Sequence, residues 1–224
     1  MKILIVSGFL GAGKTTFIKR LARNVDQRFA ILENEYGAAG IDGARLGQNR
    51  QGTQKNVWEM TEQCICCIGK KDFAASVLTI ANVVDPEYLI VEPTGVGSLA
   101  RIIENLRQIE YERIQLLSPV TIVDVYSYRR YMAEYPELYQ DQIRSADTII
   151  VSKTEACQAE EKQRIQKFLQ EINPQAKIIT DYASTMTRED YQSLLLGGRY
   201  EKEVQDTQLS LIHISEPTRL RRIS

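Results

Sequence analysis

Neither sign of charge dominates this chain: Lys and Arg total 28 against 29 Asp and Glu over 224 residues. With no whole-chain positive field to attract phosphate backbones or anionic lipid surfaces, neither nucleic acid nor a membrane is expected as a partner. Long apolar runs are also missing. The first, Ile3-Leu4-Ile5-Val6, is soon interrupted by Gly8 and Lys14, too early for a signal peptide or a membrane span, so the cytoplasm is the expected compartment. Cysteines are few and do not form a disulfide framework. Cys64, Cys66 and Cys67 crowd together while Cys157 lies far along the chain, and clustered thiols in a reducing compartment point to metal or redox chemistry. Apolar and charged fractions are ordinary, and the length suffices for a full core in one domain or a domain and a half.

What is present is concentrated early. The apolar run feeds Gly8-Phe9-Leu10-Gly11-Ala12-Gly13-Lys14-Thr15-Thr16 and then a helix-compatible segment ending near Asn24. This is a P-loop in its proper setting, with a strand before it and a helix after it. Glycines let the loop wrap a polyphosphate with its N–H groups turned inward, and the helix N-terminus adds partial positive charge. Lys14 is then expected on the β and γ phosphates, and the Thr15 hydroxyl on Mg²⁺. Gly8, Gly11, Ala12, Gly13 and Thr16 complete the candidate phosphate contacts. A plain glycine turn gives no reason for Lys-Thr at this point.

Downstream, short apolar strands alternate with helices. Strands are expected at Phe29-Ala30-Ile31-Leu32, Val57-Trp58-Glu59-Met60, Tyr88-Leu89-Ile90-Val91, Val120-Thr121-Ile122-Val123, Thr148-Ile149-Ile150-Val151 and Ala176-Lys177-Ile178-Ile179. Helical spacing recurs from Ala74 to Ala81, from Leu99 to Gln108 and from Glu160 to Glu171. The stretch from Ala38 to Lys55, rich in Gly, Asn and Gln, reads as a mobile, switch-like loop. Strands without strict in-out alternation predict a three-layer α/β fold, a mainly parallel sheet with helices on both faces. Ligands of such sheets gather at the carboxyl ends of the strands.

Several polar motifs fall at those ends. Glu92 follows a strand as a Walker B acid does and is a candidate Mg²⁺ ligand, and Gly95 could offer its N–H to the γ phosphate. Lys14 and Glu92 are the candidate catalytic pair. Asp124 also ends a strand, but helix caps and turns use Asp equally freely. Ser152-Lys153-Thr154-Glu155 stands where GTPases carry Asn-Lys-x-Asp: Glu155 keeps a carboxylate for the base and Lys153 a stem to pack on the ring, while Ser152 lacks the amide. Guanine is favoured over adenine. Cys64-Ile65-Cys66-Cys67 offers three soft ligands to Zn²⁺ or another transition metal, with a fourth position open. The structural alternative, three small buried residues, is disfavoured by the charged neighbours Glu62 and Lys70. Cys157 reads as an incidental helix residue.

The P-loop, Glu33-Asn34-Glu35-Tyr36-Gly37, Cys64-Ile65-Cys66-Cys67 and Glu92-Pro93-Thr94-Gly95, in that order, resemble the motif set of the CobW-like P-loop GTPases, relatives of the UreG and HypB nickel-insertion proteins. The resemblance covers roughly residues 1 to 180. It implies a GTP-hydrolysing metallochaperone or metalloenzyme activator, with zinc the usual cargo and a client metalloprotein as partner. A nucleotide-dependent homodimer is among the partners such a protein would admit. It also implies that Glu33 or Glu35 sits in a first switch, and that loss of the γ phosphate releases Gly95 and the loop after Gly37, disturbing the thiols between them. Turnover is expected to be slow unaided, because no arginine is evidently placed as a finger. The chain departs from the family in its altered guanine motif, in lacking a histidine-rich tract, which predicts one ion and not a store, and in an apparently missing C-terminal domain. Residues 1–207 are read as the P-loop GTPase domain. Residues 208–224, which hold the only histidine, His213, resemble translated sequencing-adapter sequence and are read as a non-native tail. Two readings from other classes stand beside this one: a P-loop kinase of a small molecule with structural cysteines, and a non-catalytic nucleotide sensor.

Overall fold

The structure is a computed structural model that describes residues 1–27, 29–33, 57–61, 73–197 and 199–201. Its eight strands are β1 (Lys2–Gly8), β2 (Phe29–Glu33), β3 (Val57–Thr61), β4 (Tyr88–Glu92), β5 (Gln115–Leu116), β6 (Val120–Asp124), β7 (Thr148–Ser152) and β8 (Lys177–Ile179). The helices are α1 (Lys14–Asn24), α2 (Phe73–Val83), α3 (Leu99–Arg107), α4 (Tyr128–Glu134), α5 (Pro136–Arg144), α6 (Ala159–Ile172), α7 (Tyr182–Thr185) and α8 (Arg188–Leu196). Pairing runs β3-β2-β4-β1-β6-β7-β8, and every strand pair is parallel. One edge of β1 is shared, first with the two residues of β5 and then, from Val6 to Gly8, with β6. The expected three-layer α/β architecture is what the structure shows.

Both faces of the sheet are covered, which is why the strands read as unbroken apolar runs. Leu4 and Val6 of β1 pack with Phe17, Ile18 and Leu21 of α1 and with Tyr191 and Leu195 of α8. Their alternates Ile3 and Ile5 face Val77 and Ile80 of α2 and Ile103 and Leu106 of α3. By register that second face continues across Val123, Ile149 and Val151, under Tyr139 and Ile143 of α5 and Ile165 and Leu169 of α6. Among the described residues, no helix is long and apolar enough to cross a membrane.

The hairpin of α4 and α5, and α7 with α8, go beyond the sequence expectations. Each is a short helix, and Pro136 opens α5 directly after α4 ends, so no apolar period runs long enough to stand out. Cys157, expected on a helix, instead lies in the turn before α6. The Gly-, Asn- and Gln-rich stretch from 38 to 55, the Cys-x-Cys-Cys run and the tail 208–224 fall outside the described residues.

Asn173, at the end of α6, donates from Nδ2 to the carbonyls of Ile143 (2.8 Å), Arg144 (3.2 Å) and Ala146 (2.8 Å), closing the C-terminus of α5. Asn173→Ala strands buried acceptors and is expected to cost about 2 kcal/mol in urea unfolding. A loss under about 0.5 kcal/mol, the usual range of a neutral surface change, would show that water replaces the amide.

Candidate functional site

The site begins where β1 ends. Gly8 has φ 144°, and a Cβ there would stand 2.5 Å from the carbonyl oxygen of Ile122 on β6, a backbone atom that cannot retreat without breaking the sheet. The chain then curls back, Ala12 N–H donating to the Phe9 carbonyl at 3.1 Å, with Gly11 and Gly13 also at positive φ. α1 follows with no side-chain cap and no acid in its first turn, so the helix itself supplies no anion to the positive end of its dipole.

Glu92, the last residue of β4, meets that turn from the adjacent strand. The Thr15 hydroxyl lies 3.2 and 3.4 Å from its two carboxylate oxygens, and Lys14 Nζ is 3.9 Å from Oε1 and 3.4 Å from the Phe9 carbonyl. Lys14 is buried, Thr15 half-buried and Thr16 exposed. A hydroxyl and a carboxylate side by side form an all-oxygen donor set that suits a hard cation such as Mg²⁺.

Gly95 follows in the loop after β4. A Cβ on it would lie 2.5 Å from Leu10 N and 3.0 Å from Phe9 C, so the two loops touch backbone to backbone and only glycine fits. Gln142 Nε2 donates to the carbonyls of Gly95 (3.2 Å) and Gly97 (2.9 Å), Asp141 Oδ2 accepts from Leu99 N–H (2.7 Å), and the Tyr131 hydroxyl donates to the Leu10 carbonyl (2.9 Å). These three α4–α5 residues escaped sequence reasoning. The one signal, for Asp141 and Gln142, was a run of three polar residues, Gln140-Asp141-Gln142, between the core positions Tyr139 and Ile143.

On the other side, Ser152 is buried, and its hydroxyl donates to the Ala12 carbonyl at 2.6 Å, fastening the end of β7 to the P-loop. Lys153, at φ 60°, donates to Asp124 Oδ2 at 2.7 Å, and Glu155 is exposed in the same turn. Asp124 also accepts from Tyr126 N–H and the Ser127 hydroxyl, both at 2.9 Å, so it serves as a turn cap and as the partner of Lys153. Burial pushes its carboxyl up, but hydrogen bonds from Lys153, Tyr126 N–H and Ser127 together outweigh burial and hold it below the ordinary value. Cys64, Cys66 and Cys67 lie outside the described residues, as do Asn34 and Glu35. Glu33 closes β2, in register with Glu92 on one side and Thr61 on the other.

A family model described as the CobW/HypB/UreG nucleotide-binding domain matches residues 2–180. The chain belongs to that family. It is 30% identical over 178 residues to the zinc chaperone YeiR of Escherichia coli, an alignment covering 78% of this chain and 53% of that protein. To the zinc chaperone CobW of Pseudomonas aeruginosa it is 27% identical over 194 residues, covering 74% and 52%. The chain thus spans about half the length of the curated relatives it matches. In fold it resembles the Zn(II)-bound YjiA GTPase of E. coli, with TM-score 0.61 and 19% identity over 91% of this chain and 66% of that one.

Because the Asp124 carboxyl is depressed in the folded protein, it adds stability at pH values above the unfolded value of about 4 and loses that contribution as pH falls through the folded value. Unfolding free energies measured from pH 7 down to pH 3 should therefore fall more steeply for the wild type than for Asp124→Asn. Parallel profiles would mean that the three donors do not hold the charge.

Proposed function

We propose that the chain is the nucleotide-hydrolysing part of a GTP-dependent metallochaperone or metalloenzyme activator, with zinc as the cargo and Cys64, Cys66 and Cys67 as its ligands. The observation that carries this reading is the convergence of Lys14, Thr15 and Glu92 on one point at the carboxyl end of the sheet. A triphosphate laid along the P-loop would meet backbone N–H groups, the uncapped helix N-terminus and the Lys14 ammonium, which oppose the charge that accumulates on the β and γ oxygens as water attacks. Thr15 and Glu92 would hold Mg²⁺, which when bound supplies further positive charge against those oxygens. Glu92 also keeps Lys14 and Thr15 oriented. Lys153 and Glu155 are the residues proposed for the base, with Lys153 steadied by Asp124, whereas Ser152 acts by fixing the P-loop. Guanine preference and a client metalloprotein are part of the same proposal.

The register of the sheet supports coupling between nucleotide and metal. Glu92, Glu33 and Thr61 occupy one row across β4, β2 and β3. At about 4.8 Å per strand, the Thr61 backbone stands roughly 10 Å from that of Glu92. In sequence, Cys64 is three residues beyond Thr61. A metal site that feels the nucleotide must be felt by it in return, by linkage.

Zinc affinity, titrated against a chelating indicator, is therefore expected to differ about tenfold between protein loaded with a non-hydrolysable GTP analogue and protein loaded with GDP. Cys66→Ser should weaken zinc binding and remove the difference. Equal wild-type affinities in the two nucleotide states would end the coupling proposal. Separately, Lys14→Ala should slow phosphate release from GTP by about 100-fold. A phosphorylated small molecule formed with ATP and not with GTP would replace this reading by a kinase.

A further inference from the structure

We propose that Gln142 is a positioning residue for the nucleotide site: from the buried side of α5 it sets the backbone of the loop after Glu92, and so the approach of Gly95 to the P-loop. The inference rests on the nucleotide reading above and deepens it, since it concerns how the site tells a triphosphate from a diphosphate.

Gln142 is 1% exposed, and its Nε2 donates to two carbonyls of one loop, Gly95 at 3.2 Å and Gly97 at 2.9 Å. Glycine backbones are the loosest in a chain, so outside bonds decide where these two lie. Gly95 is pressed against Leu10 N and Phe9 C, so the P-loop bounds its backbone on one side and the bonds from Gln142 hold it from the other. The residue beside Gln142 anchors the far end of the loop: Asp141 Oδ2 accepts from Leu99 N–H at 2.7 Å and Ala100 N–H at 3.4 Å, in the first turn of α3.

Gln142 is itself fixed to the sheet. Its carbonyl accepts from the Thr121 hydroxyl at 2.9 Å, and Thr121 lies in register with Ser7, the residue before Gly8. One residue therefore bridges the two, its side chain holding the loop after β4 and its backbone carbonyl holding the strand pair that carries the P-loop. An amide kept only to fill the core would be expected to pair at both ends, because an unpaired buried polar atom is costly. Gln142 Oε1 is buried without a partner among the described residues, while Nε2 reaches both glycine carbonyls. The geometry thus favours the donor end, the end that acts on the loop.

The test uses the full chain with Mg²⁺ and two fluorescent nucleotides, GDP and a non-hydrolysable GTP analogue. The wild type is compared with Gln142→Leu, which keeps the bulk but removes both donors, and with Gln142→Glu, which keeps the shape but sets a carboxylate oxygen where the amide nitrogen was. For Gln142→Leu, GDP affinity is expected to stay within about twofold, while the preference for the analogue over GDP falls about tenfold. For Gln142→Glu, the preference should be lost at pH 8 and partly restored towards pH 6, because burial beside two carbonyls favours the protonated carboxyl, which can donate again. A purely structural role would lower both affinities together and show no such rescue. If Gln142→Leu does not fold, the pH series on Gln142→Glu decides. An unchanged preference, or parallel losses for the two nucleotides, overturns the inference. Failure of the wild type to bind either nucleotide overturns the nucleotide reading and this inference with it.

Discussion

The register between β1 and β4 is the constraint on which the rest of the site depends. Pairing of Ile5 with Val91 sets Glu92 one residue beyond the last ladder position, level with Val6 and two residues before β1 ends at Gly8. Strand side chains alternate with a period of two, so a slip of one residue would turn Glu92 to the opposite face and bring Val91 to Thr15. Nothing in the P-loop could compensate for that. The register is held by burial on both faces, with Ile3 and Ile5 on one side and Leu4 and Val6 on the other, all fully buried. The site is thus specified by the core beneath it before any polar contact is made.

Electrostatics follows from the same arrangement. Several helices supply their own N-terminal acceptors: Ser98 and Asp141 for α3, a reciprocal Thr187–Asp190 capping box for α8, and Glu160 and Glu161 in the first turn of α6. α1 has neither a side-chain cap nor a first-turn acid, a lack it shares with the short α4 and α7, and it adds Lys14 as its first residue. Glu92 balances this positive end, and it does so from β4, not from the helix. The result is a charged cluster whose negative member faces the hydroxyl of Thr15. That division suits a ligand with several negative oxygens and a hard cation between it and the acid.

The P-loop with its flanking strand and helix was legible because its signal is local, a strand pattern, glycines and Lys-Thr within fifteen residues, and Glu92 was legible as an acid closing an apolar strand. The central strands were legible because burial on both faces writes them as continuous apolar runs. The meaning of Ser152 was not. Read alone, it is a guanine motif short of an amide, and only the approach of β7 to the P-loop shows its hydroxyl committed to Ala12. Asp124 was equally open until Lys153, Tyr126 and Ser127 were seen to surround it. The α4–α5 hairpin escaped for a different reason. Its helices are short, and Tyr131, Asp141 and Gln142 act on segments from 41 to 121 residues away, a distance over which local periodicity carries no information.

That hairpin changes what a switch in this molecule can be. A loop released when a phosphate departs must lie loose once the ligand contact is gone. The loop after β4 instead carries bonds to α5 at 2.7, 2.9 and 3.2 Å, besides its contact with Leu10. At about 1 kcal/mol net for each, those three bonds favour the docked loop by about 3 kcal/mol, a population ratio of more than a hundred. Swinging the loop away from α5 would require a ligand with at least that preference for the open form. Less is required if the loop and α5 move as one body, because the bonds then travel with it and only weaker packing changes. The Tyr131 bond to Leu10 reaches the P-loop from the same hairpin, so such a body would grip both sides of the phosphate position. Any nucleotide-driven change is therefore expected as a shift of the hairpin with its loop, and the sheet row from Glu92 through Glu33 to Thr61 leads from that body to the end of β3, three residues before Cys64 in the sequence.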